Sequence, residues 1–262
     1  MSIAIAVVNQ KGGVGKTTTT VSLGAALSGR GMQVLLVDAD PQANATSALG
    51  RPRIESGGLY EALVGEQPLE DSVVETDTPG LWLAPATLHL AGAEVELVSM
   101  MAREFRMRRA LAPLRERFDL ILIDCPPSLG LLTVNSLAAA NEVLIPVQAE
   151  YLALEGLTHL SQTIELVRQN LNPELRLRGI VLTMFDGRTN LAREVEAEVR
   201  QHFQNTFRAT IPRSVRLSEA PSHGQTIQQY DSRSAGAEAY EKLADELIER
   251  LSLPMMEASS GN

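Results

Sequence analysis

The chain has 262 residues, which can bury a sizeable core and fit one large α/β domain, residues 1–253, better than two independent ones. A formal net charge of -9 excludes a protein coated in positive charge, so a polyanionic partner would have to be met by a local basic face. The single cysteine, Cys125, excludes an internal disulfide and a cysteine-built metal site, the four histidines show no ligand spacing, and a reducing cytoplasm is the simplest compartment.

The first apolar run, IAIAVV at 3–8, has no basic leader before it, is too short for a signal sequence and reads as a buried strand. Directly after it comes NQKGGVGKTTTT, and then a helical pattern from Thr17 to Gly29. A glycine-rich loop between a strand and a helix is the setting of a phosphate-binding GxxxxGK(S/T) motif, but counting back from Lys16 the first position is Gln10 rather than glycine. The match is to a deviant form with a second lysine, Lys11, at its entrance. Gly12, Gly13 and Gly15 let the backbone wrap a phosphate closely, and the helix start aims unpaired N–H groups at the anion. Lys16 is placed to reach the β and γ phosphates of a nucleotide, and the Thr17 hydroxyl to meet Mg²⁺, with Val14 and Thr18 completing the phosphate cradle.

The second run, QVLLVDAD at 33–40, delivers Asp38 and Asp40 to the end of a strand, where one carboxylate can orient an attacking water. LWLAPA at 81–86 is another strand, and Gly92 to Phe118 reads as a helical segment. Six arginines at 103, 106, 108, 109, 115 and 117 within that segment read as a solvated helix face. DLILIDCPP at 119–127 ends a strand on Asp124, the position from which an aspartate holds Mg²⁺ through water.

Helical patterns at Leu131–Ala140, Leu154–Asn170 and Leu191–Phe203 alternate with strands EVLIPVQ at 142–148, RGIVLTMF at 178–185 and ATIPR at 209–213. Strand and helix in alternation, with strands lacking polar positions, predict a mostly parallel twisted sheet with helices on both faces and ligands beyond the strands' carboxyl ends. AEAYEKLADELIERL at 237–251 carries an apolar stripe of Ala237, Tyr240, Leu243, Ala244, Leu247 and Leu251 beneath a mostly acidic face, which predicts docking on the core rather than on anionic lipid. Residues 254–262 read as a frayed, disordered tail.

These residues resemble the deviant Walker A P-loop ATPases, specifically the ParA/Soj chromosome-partition branch. The stretches KGGVGKTTTTVSLGAAL, VLLVDADPQANATSALG, LAGAEVELV, DLILIDCPPSLGLLTVNSLAAANEVLIPVQAEYLALEGL and IPRSVRLSEAPSHGQTI are similar to that branch from about residue 3 to 250. The resemblance implies an ATP- and Mg²⁺-dependent ATPase, slow by itself, that closes into a homodimer with ATP sandwiched at the interface. Lys11 would reach across that interface to the partner's ATP, where a cation supplied in trans stabilises the transferring phosphoryl group.

Lys11, Lys16 and Asp40 are then the catalytic residues, Asp124 is the Walker B aspartate and Asp38 supports them. Gly12 matches a glycine whose enlargement blocks dimer closure. Met184 and Pro212 match the region that holds adenine. The family's non-specific binding of double-stranded DNA maps onto Arg188 and Arg216, with Arg193 and Arg213 as weaker matches, in a region where arginines only slightly outnumber acids.

The resemblance further implies nucleoid association in the cytoplasm, no membrane partner, and stimulation of hydrolysis by a ParB-like centromere-binding protein. The chain begins directly on its first strand, without the N-terminal helix-turn-helix of longer plasmid relatives. The chief alternative is a MinD-like membrane-cycling or protein-cargo-positioning ATPase. A nitrogenase-iron-protein-like reductase would need more cysteines than one. The dethiobiotin synthetases resemble the loop but lack the lysine at the Lys11 position and the DADPQ pattern.

Overall fold

The computed structural model describes residues 2–52, 54–150 and 153–253. The chain runs β1 (Ile3–Val7), α1 (Lys16–Ser28), β2 (Val34–Asp38), α2 (Asn44–Ala48), α3 (Leu59–Val64), β3 (Val74–Glu75), β4 (Leu81–Ala84), α4 (Leu90–Glu96), α5 (Arg106–Leu111) and β5 (Leu120–Asp124). It continues through α6 (Leu131–Ala139), β6 (Glu142–Gln148), α7 (Ala153–Asn170), β7 (Arg176–Phe185), α8 (Asn190–His202), β8 (Thr206–Pro212), α9 (Val215–Glu219), α10 (Ile227–Asp231) and α11 (Ala235–Leu251).

The strands form one sheet in the order β3-β4-β2-β5-β1-β6-β7-β8. Every pairing is parallel except that of the short edge strand β3 with β4. β2 and β5 are buried at every position, which explains why the sequence shows unbroken apolar runs there instead of alternation. The period of two is still present, expressed as two cores. Ala4, Ala6, Leu35, Val37, Ile121 and Ile123 face one cluster, and Ile5, Val7, Val34, Leu36, Leu120 and Leu122 face the other. The first cluster is closed by α3, α5, α6, α7 and α8, and the second by α1 and α11.

In α11, Ala237, Tyr240, Leu243, Ala244 and Leu247 are buried, and the Tyr240 hydroxyl lies 3.1 Å from Thr19 Oγ1 on α1. The apolar stripe of this helix is therefore spent on the core, as its acidic outer face predicts. Among the described residues no helix is long and apolar enough to cross a membrane. The tail expected at 254–262 lies outside the described residues.

The expectation of one helical segment from Gly92 to Phe118 is corrected. α4 stops at Glu96, Ala102 adopts a left-handed conformation at φ 51, and short 3-10 turns at Leu97–Ser99, Arg103–Phe105 and Ala112–Glu116 flank α5. The buried side chain of Asn135 on α6 makes the break tolerable. It accepts the Met107 N–H at 3.1 Å and donates to the Arg103 carbonyl at 2.8 Å, satisfying backbone groups at the entry to α5. Pro113, which has no N–H, prevents regular helix from resuming.

The arginines of this segment are accordingly not one solvated face. Arg115 donates to the carbonyls of Ser2 and Ala139 and to Asn141 Oδ1, and Arg117 stacks over Trp82 at 4.4 Å from the ring centroid. Arg108 is held by Asn172.

Candidate nucleotide site

The carboxyl ends of β1, β2 and β5 are neighbours, and three sequence-chosen features meet there: the glycine loop after β1, the Asp38–Asp40 segment after β2 and Asp124 at the end of β5. Gly13 and Gly15 have φ of 73° and 86°, which a side chain would strain, and Gly15 leads into α1 with no side-chain cap on its first turn. The N–H groups of that turn are thus left for a ligand. A Cβ added at Gly12 or Gly13 would meet nothing within 4 Å, so that side of the loop is open. Val14 is buried, and its carbonyl accepts the Thr183 hydroxyl at 2.8 Å, tying the loop to β7.

Lys16 is 7% exposed and its Nζ donates to the Lys11 carbonyl at 3.2 Å. Burial lowers its pKa, opposed chiefly by the nearby Asp124 charge. A desolvated lysine held by a single neutral acceptor is ready for an anion. The Thr17 hydroxyl donates to Asp124 Oδ2 at 2.7 Å, and Thr20 Oγ1 to Asp124 Oδ1 at 3.2 Å.

Asp38 and Asp124 sit directly opposite each other in the parallel register of β2 and β5. Asp124 is fully buried and its pKa is pushed up to about 8, first by burial and then by the Asp38 charge. Burial likewise lifts Asp38 to about 6, against the two bonds it accepts at 2.7 Å from the N–H and hydroxyl of Thr46. Asp40, 5% exposed, accepts the Gln42 N–H at 2.9 Å.

Asp124 and Asp40 act on Lys16 while Asp38 crowds Asp124, so three buried carboxyl groups share one nearby lysine, and a divalent cation beside Thr17 and Asp124 would supply the missing positive charge. Among the described residues no group of three or more His, Cys, Asp or Glu could hold a metal ion. The Thr17 hydroxyl and the Asp124 carboxyl form a donor set that suits Mg²⁺, which is satisfied by a hydroxyl, one or two carboxylates, water and phosphate oxygens.

A cleft of about 510 Å³ opens above the loop. Gly12, Gly13, Gly15, Lys16, Thr17 and Thr18 line one side. Asp40, Asn44 and Ser47 line a second, and Met184, Leu217, Pro221 and Gln225 a third. An adjoining cavity of about 360 Å³ shares Gly15, Thr18 and Met184 with the cleft and adds Pro212, Arg213 and Ser214. Met184 borders both and is itself left-handed at φ 49. Pro212 borders the second alone. Together the cavities have the size and mixed lining of a nucleotide pocket.

Lys11 borders neither. Its side chain is 50% exposed and its Nζ is 2.5 Å from Glu150 Oε2, while its N–H donates to Asn9 Oδ1 at 2.9 Å. Of the four arginines, only Arg213 lines a cavity. Arg188 follows Met184 and is paired with Asp186 at 2.8 Å, which holds that aspartate down at about 2. Arg216 is paired with Glu219 at 3.0 Å and Asp231 at 3.5 Å. Arg193 donates to Asn190, and Arg213 is exposed beside the second cavity.

Several lining residues escape sequence reasoning. Asn44 and Ser47 follow Asp40 within DADPQANATS, so their nearness to that strand-end acid was the available signal. Leu217, Pro221 and Gln225 carry no local signal and are brought in by packing. Thr20, one turn beyond Thr17, and Glu150 also went unmarked.

A parallel sheet, a strand-to-helix glycine loop, a buried lysine and a threonine–aspartate pair at the next strand end define a P-loop nucleotide-binding protein, and the lysine at the loop entrance makes it the deviant Walker A form. Comparison with known proteins narrows this. A sequence family described as an AAA domain matches residues 2–177. The chain is 53% identical to the chromosome partitioning protein ParA of Myxococcus xanthus over 94% of this chain and 88% of that protein. It is 52% identical to the sporulation initiation inhibitor protein Soj of Bacillus subtilis, covering 94% and 98%. Among solved structures, cobyrinic acid a,c-diamide synthase from Mycobacterium smegmatis, with bound ATP analog and magnesium, superposes with a TM-score of 0.86 at 39% identity, covering 99% and 100%. The chain belongs to the ParA/Soj family of chromosome-partitioning ATPases.

Proposed function

We propose that this protein binds ATP with Mg²⁺ in the cleft above the glycine loop, closes on a second copy of itself around the nucleotide, and in that state binds DNA without sequence preference. The observation that carries this reading is the division between the two lysines. Lys16 is buried inside the cleft, whereas Lys11 stands on the surface outside it, next to the open space over Gly12 and Gly13. A surface cation at the mouth of a phosphate site is available to a site on another chain.

In the closed pair, Lys16 and the partner's copy of Lys11 hold the phosphates from two sides, the first-turn N–H groups of α1 cradle them, and Met184 and Pro212 bound the adenine space. Thr17, and Asp124 through water, would hold Mg²⁺, which would supply positive charge between the phosphates. Asp40 accepts a hydrogen bond from the attacking water and aims it at the γ phosphate. ATP becomes ADP and phosphate, the interface loses its bridge, and the chains part. Hydrolysis is slow in the isolated protein, and a ParB-like centromere-binding partner accelerates it.

Arg188 and Arg216, with Arg193 and Arg213 beside them, contact DNA phosphates. Two of them already sit in carboxylate pairs, so DNA has to compete with Asp186 and Glu219 for them, and two copies side by side double the basic surface. The protein then cycles on the nucleoid in the cytoplasm and segregates a chromosome or plasmid. A MinD-like membrane cycle is disfavoured because the stripe of α11 is packed on the core. The synthase activity named for the solved neighbour belongs to that protein; the partition relatives are closer in sequence.

Single substitutions separate the lysines. Lys16→Ala should abolish nucleotide binding, while Lys11→Ala should bind ATP yet sediment as a single chain with it. ATP-driven dimers of the Lys11→Ala protein as abundant as wild type would end the trans-lysine reading.

A further inference from the structure

The two walls of the cleft that face each other across the nucleotide space come from the segments with the two proposed tasks. One is the Asp40–Gly50 segment, which carries the water-orienting acid. The other is the Arg213–Asp231 segment, which carries Arg216. Beyond the cleft they meet backbone to backbone at one point, where Gly50 crosses Gly224. Both are left-handed, with φ of 70° and 64°. A Cβ on Gly224 would lie 2.6 Å from Gly50 Cα, and one on Gly50 would lie 3.0 Å from the Gly224 carbonyl oxygen. A side chain on Gly224 would collide with the Gly50 backbone, one on Gly50 would need the Gly224 carbonyl to give way slightly, and neither glycine borders the cleft itself.

Each segment is held by its own hydrogen bonds, and the first is also fixed to the end of β2. On the first, Thr46 anchors to Asp38 at 2.7 Å, Ser47 N–H donates to the Ala43 carbonyl at 3.0 Å, Gly50 N–H to the Ser47 carbonyl at 3.0 Å and Arg51 N–H to the Thr46 carbonyl at 3.1 Å. On the second, Glu219 is shared by Arg216 at 3.0 Å and the Tyr230 hydroxyl at 3.1 Å, and the His223 and Tyr230 rings stack at 5.1 Å. Asp40 and Gly50 are thus ends of one short bonded segment, and Gly50 touches Gly224, eight residues from Arg216. Closely packed backbones transmit displacement because neither side can yield without losing contact.

We propose that the Gly50–Gly224 crossing couples the two sites: a triphosphate in the cleft sets the position of the arginine-bearing segment through this contact. The inference rests on the ATP-dependent DNA binding proposed above. Coupling of two sites is reciprocal, so DNA must tighten ATP by the same factor that ATP tightens DNA.

The test uses the full chain, a long duplex of arbitrary sequence and a fluorescent ATP analogue. Wild type should bind DNA at least tenfold more tightly with ATP than with ADP, and DNA should slow release of the analogue. Gly224→Ala should bind ATP and dimerise, but lose most of that ATP-to-ADP ratio and the effect of DNA on analogue release. Should Gly224→Ala fail to fold, Gly50→Asn is the second variant, since asparagine tolerates the left-handed backbone and the added atom only has to displace a carbonyl slightly. A folded variant that keeps the wild-type ratio within twofold overturns the coupling and leaves the DNA reading standing. Wild-type DNA binding that ignores the nucleotide overturns both.

Discussion

Replacing Asp40 with alanine separates binding from chemistry. The carboxylate is 5% exposed and accepts the Gln42 N–H, a charge-assisted bond worth about 1.5–3 kcal/mol. Its charge also raises the pKa values of Asp124 and Asp38, so its removal eases the crowding of the other two acids. These effects oppose each other, and the net change in stability should stay within about 1–2 kcal/mol. Lys16, Thr17 and the glycine loop are untouched, so ATP should still bind and bring two chains together. Hydrolysis loses the group that orients water, a loss of roughly 10²–10⁴ in rate, or about 3–5 kcal/mol of barrier. Single-turnover phosphate release, measured with saturating DNA beside light scattering for the dimer, reads both quantities on one sample. A dimer that persists while phosphate release collapses is the expected result. Phosphate release within twofold of wild type would refute the role given to Asp40.

Arg188→Glu and Arg216→Glu should each leave ATP-dependent dimers intact while weakening binding to arbitrary duplex DNA roughly tenfold and flattening its salt dependence by about one counterion per site. Unchanged affinity across a salt series would place the DNA surface elsewhere. The acid pair makes a pH prediction for the nucleotide-free protein. Asp124 and Asp38 bind protons more tightly folded than unfolded, at about 8 and about 6 against an ordinary 3.8, so stability declines as pH rises from about 4 through 8. The melting temperature should fall between pH 5 and pH 8, and Asp124→Asn should flatten that slope; equal slopes in the two proteins would contradict the raised pKa.

The phosphate loop was legible because its parts are consecutive: strand, glycines, lysine, threonine and helix are fixed within about ten residues, and each needs only local backbone geometry. The acids were legible as strand-end positions, but that Asp38 and Asp124 stand opposite each other required the sheet order, which places β5 between β1 and β2. The third wall was half legible. Met184 and Pro212 were named by resemblance, whereas the left-handed turn at Met184 and the approach of Leu217, Pro221 and Gln225 depend on how α9 and its neighbours pack. The region from Gly92 to Phe118 misled for the same reason. Its helical periodicity is real within α4 and α5, but the break between them is stabilised by Asn135, a residue beyond the reach of a local pattern. The arginines there looked like a surface because sequence does not reveal that Arg115 serves backbone carbonyls and Arg117 an indole face.

The most direct test of the central claim is binding of the purified protein to a long duplex of arbitrary sequence with ATP, with ADP and without nucleotide, beside anionic liposomes under the same conditions. The account predicts binding to DNA in the ATP sample alone, falling steeply with salt, and none to liposomes. Binding to liposomes with ATP, or DNA binding indifferent to nucleotide, would contradict it.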